Sequence, residues 1–326
     1  MVRKFSTLSA RIAVREPGLA SLIDHAPDQA MLRYGSMTLP DGRRLEFLEQ
    51  GHPKGQPVIL VHSLITDVGL SSSATRRAVM AGLKFITPIR AGFGNSDPNP
   101  APDIEASVEN GADDLNALLE HLNIDQTVMI GGWASSFVQR FATRYPNKLK
   151  GMIILRCVPL WADSFLPSIR PRYRNILKSS IFLPAAVPYL AKLGRILMTS
   201  GQELAFARGM NRERERDLAA LDDPDILETV KRSYHCICAQ GTDTFVFELK
   251  TVHHDWSKDA CAVRVPTTII VEDDFIDYPQ SAFEKYVELV PHARLSKVEG
   301  AGEYLYLTHF ETVIEELSCL LDPPAT

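Results

Sequence analysis

Residues 126–137, QTVMIGGWASSF, constrain this chain more than any other stretch. Thr127–Ile130 is an apolar, β-rich run, and Gly131 and Gly132 supply a sharp bend. From Phe137 to Pro146 the spacing is helical, with Phe137, Val138, Phe141 and Ala142 on one side. A strand, a glycine turn and a helix in succession form the unit in which the pattern G-x-S-x-G presents a nucleophile. Here the frame stands without the nucleophile. Counted from the strand, Trp133 falls where serine would be; counted back from Tyr145-Pro146, Gly132 does. No register with a small gap gives Ser, Cys or Asp.

The same alternation extends along the chain. Residues 30–49 read as a hairpin turning at Pro40-Asp41-Gly42. PVILVH (57–62), KFITP (84–88), GMIILR (151–156), TTIIVEDD (267–274) and ARLSKV (293–298) read as strands. The first three are continuous apolar runs, the pattern of strands buried on both faces of a parallel sheet. Helices are expected at 71–82, 106–121, 280–289 and about 306–321. Between about Pro159 and His254 the alternation stops and a proline-punctuated helical segment intervenes. Within it, Arg212–His235 reads as a charged helical pair broken at Asp222-Asp223-Pro224, and the RERER run reads as a solvated face because its signs alternate.

Bulk properties exclude several classes. The chain has 326 residues and a net charge of -5, so no global basic field recruits nucleic acid or an anionic membrane. Ile181–Met198 is the most apolar run, but two prolines, Lys192 and Arg195 interrupt it, so no membrane span is expected. Five scattered cysteines in a long chain point to a reducing, cytoplasmic compartment. Cys236 and Cys238 lack a second Cys/His pair at zinc spacing, so they read as buried helix thiols, with no metal and no cofactor expected. Residues 1–24 are basic up to Glu16 and stand apart as a docking helix, a transit peptide or the decayed end of a DNA-binding module.

Five motifs in order resemble the α/β-hydrolase superfamily from about residue 30 to 322. PVILVHSL resembles the strand and oxyanion loop, with His62-Ser63 for His-Gly. TPIRAGFGNSD resembles the loop after the next strand, with Ile89 for an aspartate. VMIGGWASS stands at the nucleophile elbow, with Gly131, Gly132, Trp133 and Ser135 at its positions. TTIIVEDDFIDYP resembles the segment carrying the triad acid, which places Asp274 there. VEGAGEYLYLTHFETV resembles the turn carrying the triad histidine, where this chain has Glu303. The resemblance implies a mostly parallel sheet covered by helices on both faces. It divides the chain into a core of 25–158 and 255–326 and an inserted helical cap at 159–254. Asp255-Trp256 and the AQG segment (239–241) look, more narrowly, like the hydrolase-type domains fused to LuxR-type regulators.

A triad requires a nucleophile, a base and an acid that orients the base. Glycine and indole do not attack acyl carbon. Glu303 can accept a proton, but a carboxylate with a pKa of about 4.3 is poorly matched to serine. His309 lies six residues too far along, and His253 and His254 stand at the cap boundary. Facing Asp274, Glu303 would have its charge opposed and one pKa raised. Three readings follow. One is a degenerate member that binds a small apolar molecule between core and cap in a sensory or regulatory role. Another is a hydrolase of esters or related bonds using Ser63, Ser135, Ser136 or a water held by Asp274 and Glu303. The third is an interaction module without a ligand. None involves direct nucleic-acid binding, and the sequence leaves the oligomeric state open.

Overall fold

The computed structural model describes residues 32–322 apart from 65, 170, 172–173, 176–177, 179–184, 213, 253 and 275–278. The basic segment 1–24, His253 and Asp277 lie outside the described residues. Eight strands form one sheet: β1 Leu32–Thr38, β2 Arg44–Gly51, β3 Gln56–Val61, β4 Leu83–Ile89, β5 Thr127–Gly131, β6 Leu149–Leu155, β7 Thr267–Glu272 and β8 Ala293–Val298. Their order is β1-β2-β4-β3-β5-β6-β7-β8. β2 runs antiparallel to β1 and β4, and the remaining pairs are parallel. The expected hairpin is β1–β2, whose turn has Gly42 at φ 89 and the Asp41 carboxylate accepting from the Arg43 amide.

Side-chain alternation explains why the central strands are apolar throughout. Ile59, Val61, Met129, Met152, Ile154, Ile269 and Val271 face one way, into a layer with Phe137, Phe141 and Tyr286. Val58, Leu60, Val128, Ile130, Ile153, Leu155 and Ile270 face the other, against Ala74, Phe310 and Leu317. The first layer is built by α2 Ile104–His121, α3 Ser135–Arg144 and α10 Gln280–Leu289; the second by α1 Ser72–Met80 and α12 Phe310–Leu321. Ser71 and Asp103 cap α1 and α2 by accepting from the amides of Ala74 and Ala106.

Between β6 and β7, in the segment expected as the cap, the described residues include α4 Val187–Thr199, α5 Glu203–Asn211, α6 Glu215–Ala220, α7 Pro224–Cys238 and α8 Asp243–Val252, followed by the short α9 Ser257–Ala260. The break before α7 falls where Asp222-Asp223-Pro224 predicts it, and Asp223 caps the helix that follows. Cys236 and Cys238 are buried thiols on α7. The segment expected as one last helix is two, α11 Leu305–Thr308 and α12, because His309 leaves helical geometry at φ -123, ψ 43. β7 ends at Glu272, two residues before the expected Asp274. Among the described residues no helix is long and apolar enough to cross a membrane.

The buried layer of α3 carries a measurable share of stability. Phe141→Ala should lower the unfolding free energy in urea by about 3–5 kcal/mol. Met80→Ala, at a side chain that is 80% exposed, should stay within about 0.5 kcal/mol.

Candidate functional site

The carboxyl ends of β3, β5, β6 and β7 converge, and the loops that leave them carry the candidate residues. β5 ends at Gly131, and α3 starts at Ser135. A nucleophile elbow is a strained turn, yet no elbow position is among the residues with positive φ. Among the described non-glycine residues those are Asp67, Asn123, Arg156 and His292. Trp133 packs partly buried between the core layer and the core–cap cluster. Ser135 Oγ donates to the carbonyl of Cys157 at 2.8 Å. Ser136 Oγ is buried and has no hydrogen-bond partner. It borders a cleft of about 10 Å³ with Trp133 and His254, and His254 Nε2 lies 3.4 Å from Glu105 Oε1.

The loop after β3 is closed on itself. Ser63 N–H donates to the Thr66 carbonyl at 3.2 Å, and Ser63 Oγ donates to the same carbonyl at 3.0 Å and accepts from the Thr66 amide at 3.1 Å. Neither group is directed to an incoming oxyanion. The Arg90 amide donates to His62 Nε2 at 3.0 Å, so Nδ1 carries the proton and donates to Ser63 O at 2.8 Å. Burial and the neighbouring Arg90 hold the imidazole well below its ordinary pKa. His62 is thus a neutral ring that ties β3 to the loop after β4.

Asp274 and Glu303, the residues expected at the acid and histidine positions, belong to a largely buried ion lattice. Arg156, the residue after β6, grips Glu272 with two hydrogen bonds of 3.0 and 3.1 Å, and its Nη1 lies 3.2 Å from Glu303 Oε2. Arg214, just before α6, reaches Glu272 and Asp274 at 3.3 Å each, with Asp217 at the same distance from its Nε. Arg216 closes the outer side on Asp273 and Asp274. Asp217 Oδ1 accepts from the Glu303 amide at 2.6 Å. Asp274 and Glu303 therefore meet through two arginines and Glu272. The RERER run is solvated only in part: Arg212 and Glu215 are exposed, whereas Arg214 is 4% exposed and the adjoining Asp217 1% exposed, because each finds an opposite charge beneath it. His309 stands apart at the junction of α11 and α12, beside the Thr308 hydroxyl.

Asp67 is the residue that sequence reasoning missed. It lies in the loop after β3 at φ 73, and its Oδ2 would stand 3.3 Å from a Cβ built on Gly132, so glycine at the elbow leaves room for it. With Gly132, Trp133, Arg156, Glu303 and Tyr306 it lines an enclosure of about 10 Å³, room for about one water. Burial, reinforced by the Glu303 charge, pushes the Asp67 pKa up to about 6. Asp217 rises to about 6 for the same two reasons. Only the left-handed backbone signals Asp67, and a sequence does not display it. Among the described residues no group of three His, Cys, Asp or Glu side chains is arranged to hold a metal ion.

Two larger cavities are lined by described residues away from the lattice. One of about 210 Å³ lies under the loop after β4 and is bordered by Asn99, Asp114, Phe137 and Glu248. The other, about 320 Å³, is almost wholly apolar and sits in the cap, with Leu64 from the core and Val187, Ala191, Phe206, Ile237 and Leu249 among its walls.

A family model described as alpha/beta hydrolase fold matches residues 56–310. Over 121 residues the chain is 31% identical to a cis-3-alkyl-4-alkyloxetan-2-one decarboxylase of Shewanella oneidensis, a match covering 35% of this chain and 36% of that protein. Over 310 residues it is 26% identical to the polyketide synthase ThaQ of Burkholderia thailandensis, covering 88% of this chain and 13% of that one. The matches thus span about a third of the first relative and a small part of the second. An alpha/beta hydrolase enzyme from a deep-sea metagenome library superposes with a TM-score of 0.61 at 15% identity, over 90% of this chain and 98% of its own.

The lattice yields two expectations. Arg156→Met leaves Glu272 and Glu303 without their shared cation and should cost about 3–5 kcal/mol in urea unfolding. Asp67 has its folded pKa raised from 3.8 to about 6. Between these values the folded state holds a proton that the unfolded state has lost, so stability falls as pH rises through the window. Asp67→Asn should therefore gain on the wild type by up to about 3 kcal/mol between pH 4 and pH 7.5, as measured by urea titration at each pH.

Proposed function

The chain belongs to the α/β-hydrolase fold family, and we propose that it is a catalytically degenerate member that binds a small apolar molecule between core and cap in a sensory or regulatory role. The observation that carries this reading is the pairing of a blocked reaction centre with an open apolar cavity. At the positions that the resemblance assigns, Gly132 or Trp133 stands for the serine and Glu303, ion-paired with Arg156, for the histidine, and the Ser63 amide and hydroxyl are both engaged in their own loop. A carboxylate bound to a guanidinium is a weak base, and the enclosure beside it admits about one water rather than a substrate. The cap cavity of about 320 Å³ falls in the range of small-ligand sites. Its walls favour hydrocarbon through loss of water contact at about 25 cal/mol per Å².

A displaced-serine hydrolase is the second reading. Ser136 Oγ supports it, being buried, without a partner and bordering a cleft with His254, whose ring lies near Glu105.

A fluorophosphonate serine probe read by peptide mass spectrometry separates the two, beside a thermal-shift screen of lipophilic compounds. The degenerate reading expects no adduct and a rise in melting temperature with apolar ligands. At a hundred times its Kd a ligand adds about 2.7 kcal/mol. Ala191→Trp, which fills the cavity, should abolish the rise. A stoichiometric adduct on Ser136 would replace this reading by the second. Absence of any shift alongside absence of an adduct would leave an interaction module.

A further inference from the structure

The outer wall of the apolar cavity is one helix, α4, and it has three faces. Val187, Ala191 and Met198 turn inward and are buried, and with Gly194 they line the cavity. The opposite side carries Tyr189, Leu190, Leu193 and Ile196, which are 74%, 54%, 56% and 58% exposed. Among the described residues only one other large hydrophobic side chain, Met80, is as exposed. At 3.6 residues per turn these four, with Leu197, fall in a stripe roughly 120° wide. Lys192 and Arg195 lie along one flank of the stripe. Leu190 belongs to both surfaces, lining the cavity and opening to solvent.

The stretch of sequence that holds this helix is as one-sided in charge as the helix is in apolar surface. In a chain of net charge -5, the 39 residues from Ser164 to Gln202 contain six basic residues and no acid. Of these, Arg174, Lys178, Lys192 and Arg195 are among the described residues. An exposed apolar stripe beside cations, on a helix without anions, is the pattern of a helix lying in a membrane interface. A second copy of the chain fits less well. Pairing about a two-fold axis would set Lys192 and Arg195 of one copy near those of the other.

We propose that α4 docks on an anionic lipid surface, with Tyr189, Leu193 and Ile196 seated among the acyl chains and Lys192 and Arg195 at the phosphate level. Leu190 then marks the mouth through which an acyl chain passes from the bilayer into the cavity. This second step rests on the ligand-binding reading above and narrows its ligand to a lipid tail drawn from a membrane. Docking itself stands without it.

The test uses the full chain and sedimenting vesicles of phosphatidylcholine alone or mixed with phosphatidylglycerol. Binding to the anionic vesicles should exceed binding to the neutral ones by about tenfold or more and fall as salt rises from about 0.05 to 0.5 M. Leu193→Ser with Ile196→Ser, and separately Lys192→Gln with Arg195→Gln, should lose most of that binding while melting as the wild type does. Lys192, Leu193 and Ile196 are exposed, so the fold does not depend on them. Failure of the folded wild type to sediment with anionic vesicles would overturn the proposal. So would binding that survives the double serine variant, or a concentration-dependent dimer, seen by light scattering, that this variant dissolves. Uptake of a fluorescent polyene fatty acid, measured without vesicles, separates the two parts. Docking with no uptake upholds the membrane face and defeats the cavity reading, whereas uptake with no docking does the reverse.

Discussion

A guanidinium held between two buried carboxylates fixes the working end of this sheet. Arg156 leaves β6 in a left-handed conformation that a non-glycine residue rarely adopts, and this turns its side chain onto Glu272 at the end of β7 and Glu303 in the loop after β8. Three neighbouring strands thus meet in one side chain. Arg214 enters from the cap and binds the same Glu272, so the lattice joins the inserted helices to the core. Carboxylates outnumber guanidinium groups here. The excess negative charge adds to burial in raising the pKa of Asp67 and of Asp217 to about 6. The charged groups of the lattice are engaged with one another in hydrogen bonds and ion pairs.

Much of the architecture was legible in the sequence because it follows from periodicity. Apolar runs at 57–62 and 151–156, glycines at the elbow, and the Asp-Asp-Pro break before α7 each state a local preference that the tertiary structure keeps. The candidate site was legible only as a set of positions. Gly132, Trp133 and Glu303 stood out as candidates by their neighbours in sequence, but the partners of Glu303 did not, since Arg156 and Asp217 reach it from segments distant in sequence. Arg156 reads as the polar end of a strand, and Arg214 as one sign in an alternating run. Asp67 reads as an ordinary loop aspartate. The burial of each depends on a charge that only the fold brings near.

Averages conceal the remaining feature in the same way. A net charge of -5 describes the chain, while Ser164–Gln202 carries six basic residues and no Asp or Glu. Prolines and cations break the hydropathy of Ile181–Met198, so it does not read as a span. Two of these interruptions, Lys192 and Arg195, suit a helix that lies on a surface instead of crossing it.

The cap is fastened unevenly. Its α7 and α8 are riveted to the core: Asp225 accepts from the amides of Ser72 and Ser73, Arg232 donates to the carbonyls of Val68 and Leu70, and Glu248 pairs with Arg90. α4 packs instead on its fellow cap helices α5, α7 and α8. A cap so fixed cannot swing aside as a rigid lid without separating buried charges from their partners. Access to its interior instead depends on one helix moving while its neighbours stay put. The residence time of an occupant would then be set by the fraying of some thirteen residues and not by the melting of the cap–core seam.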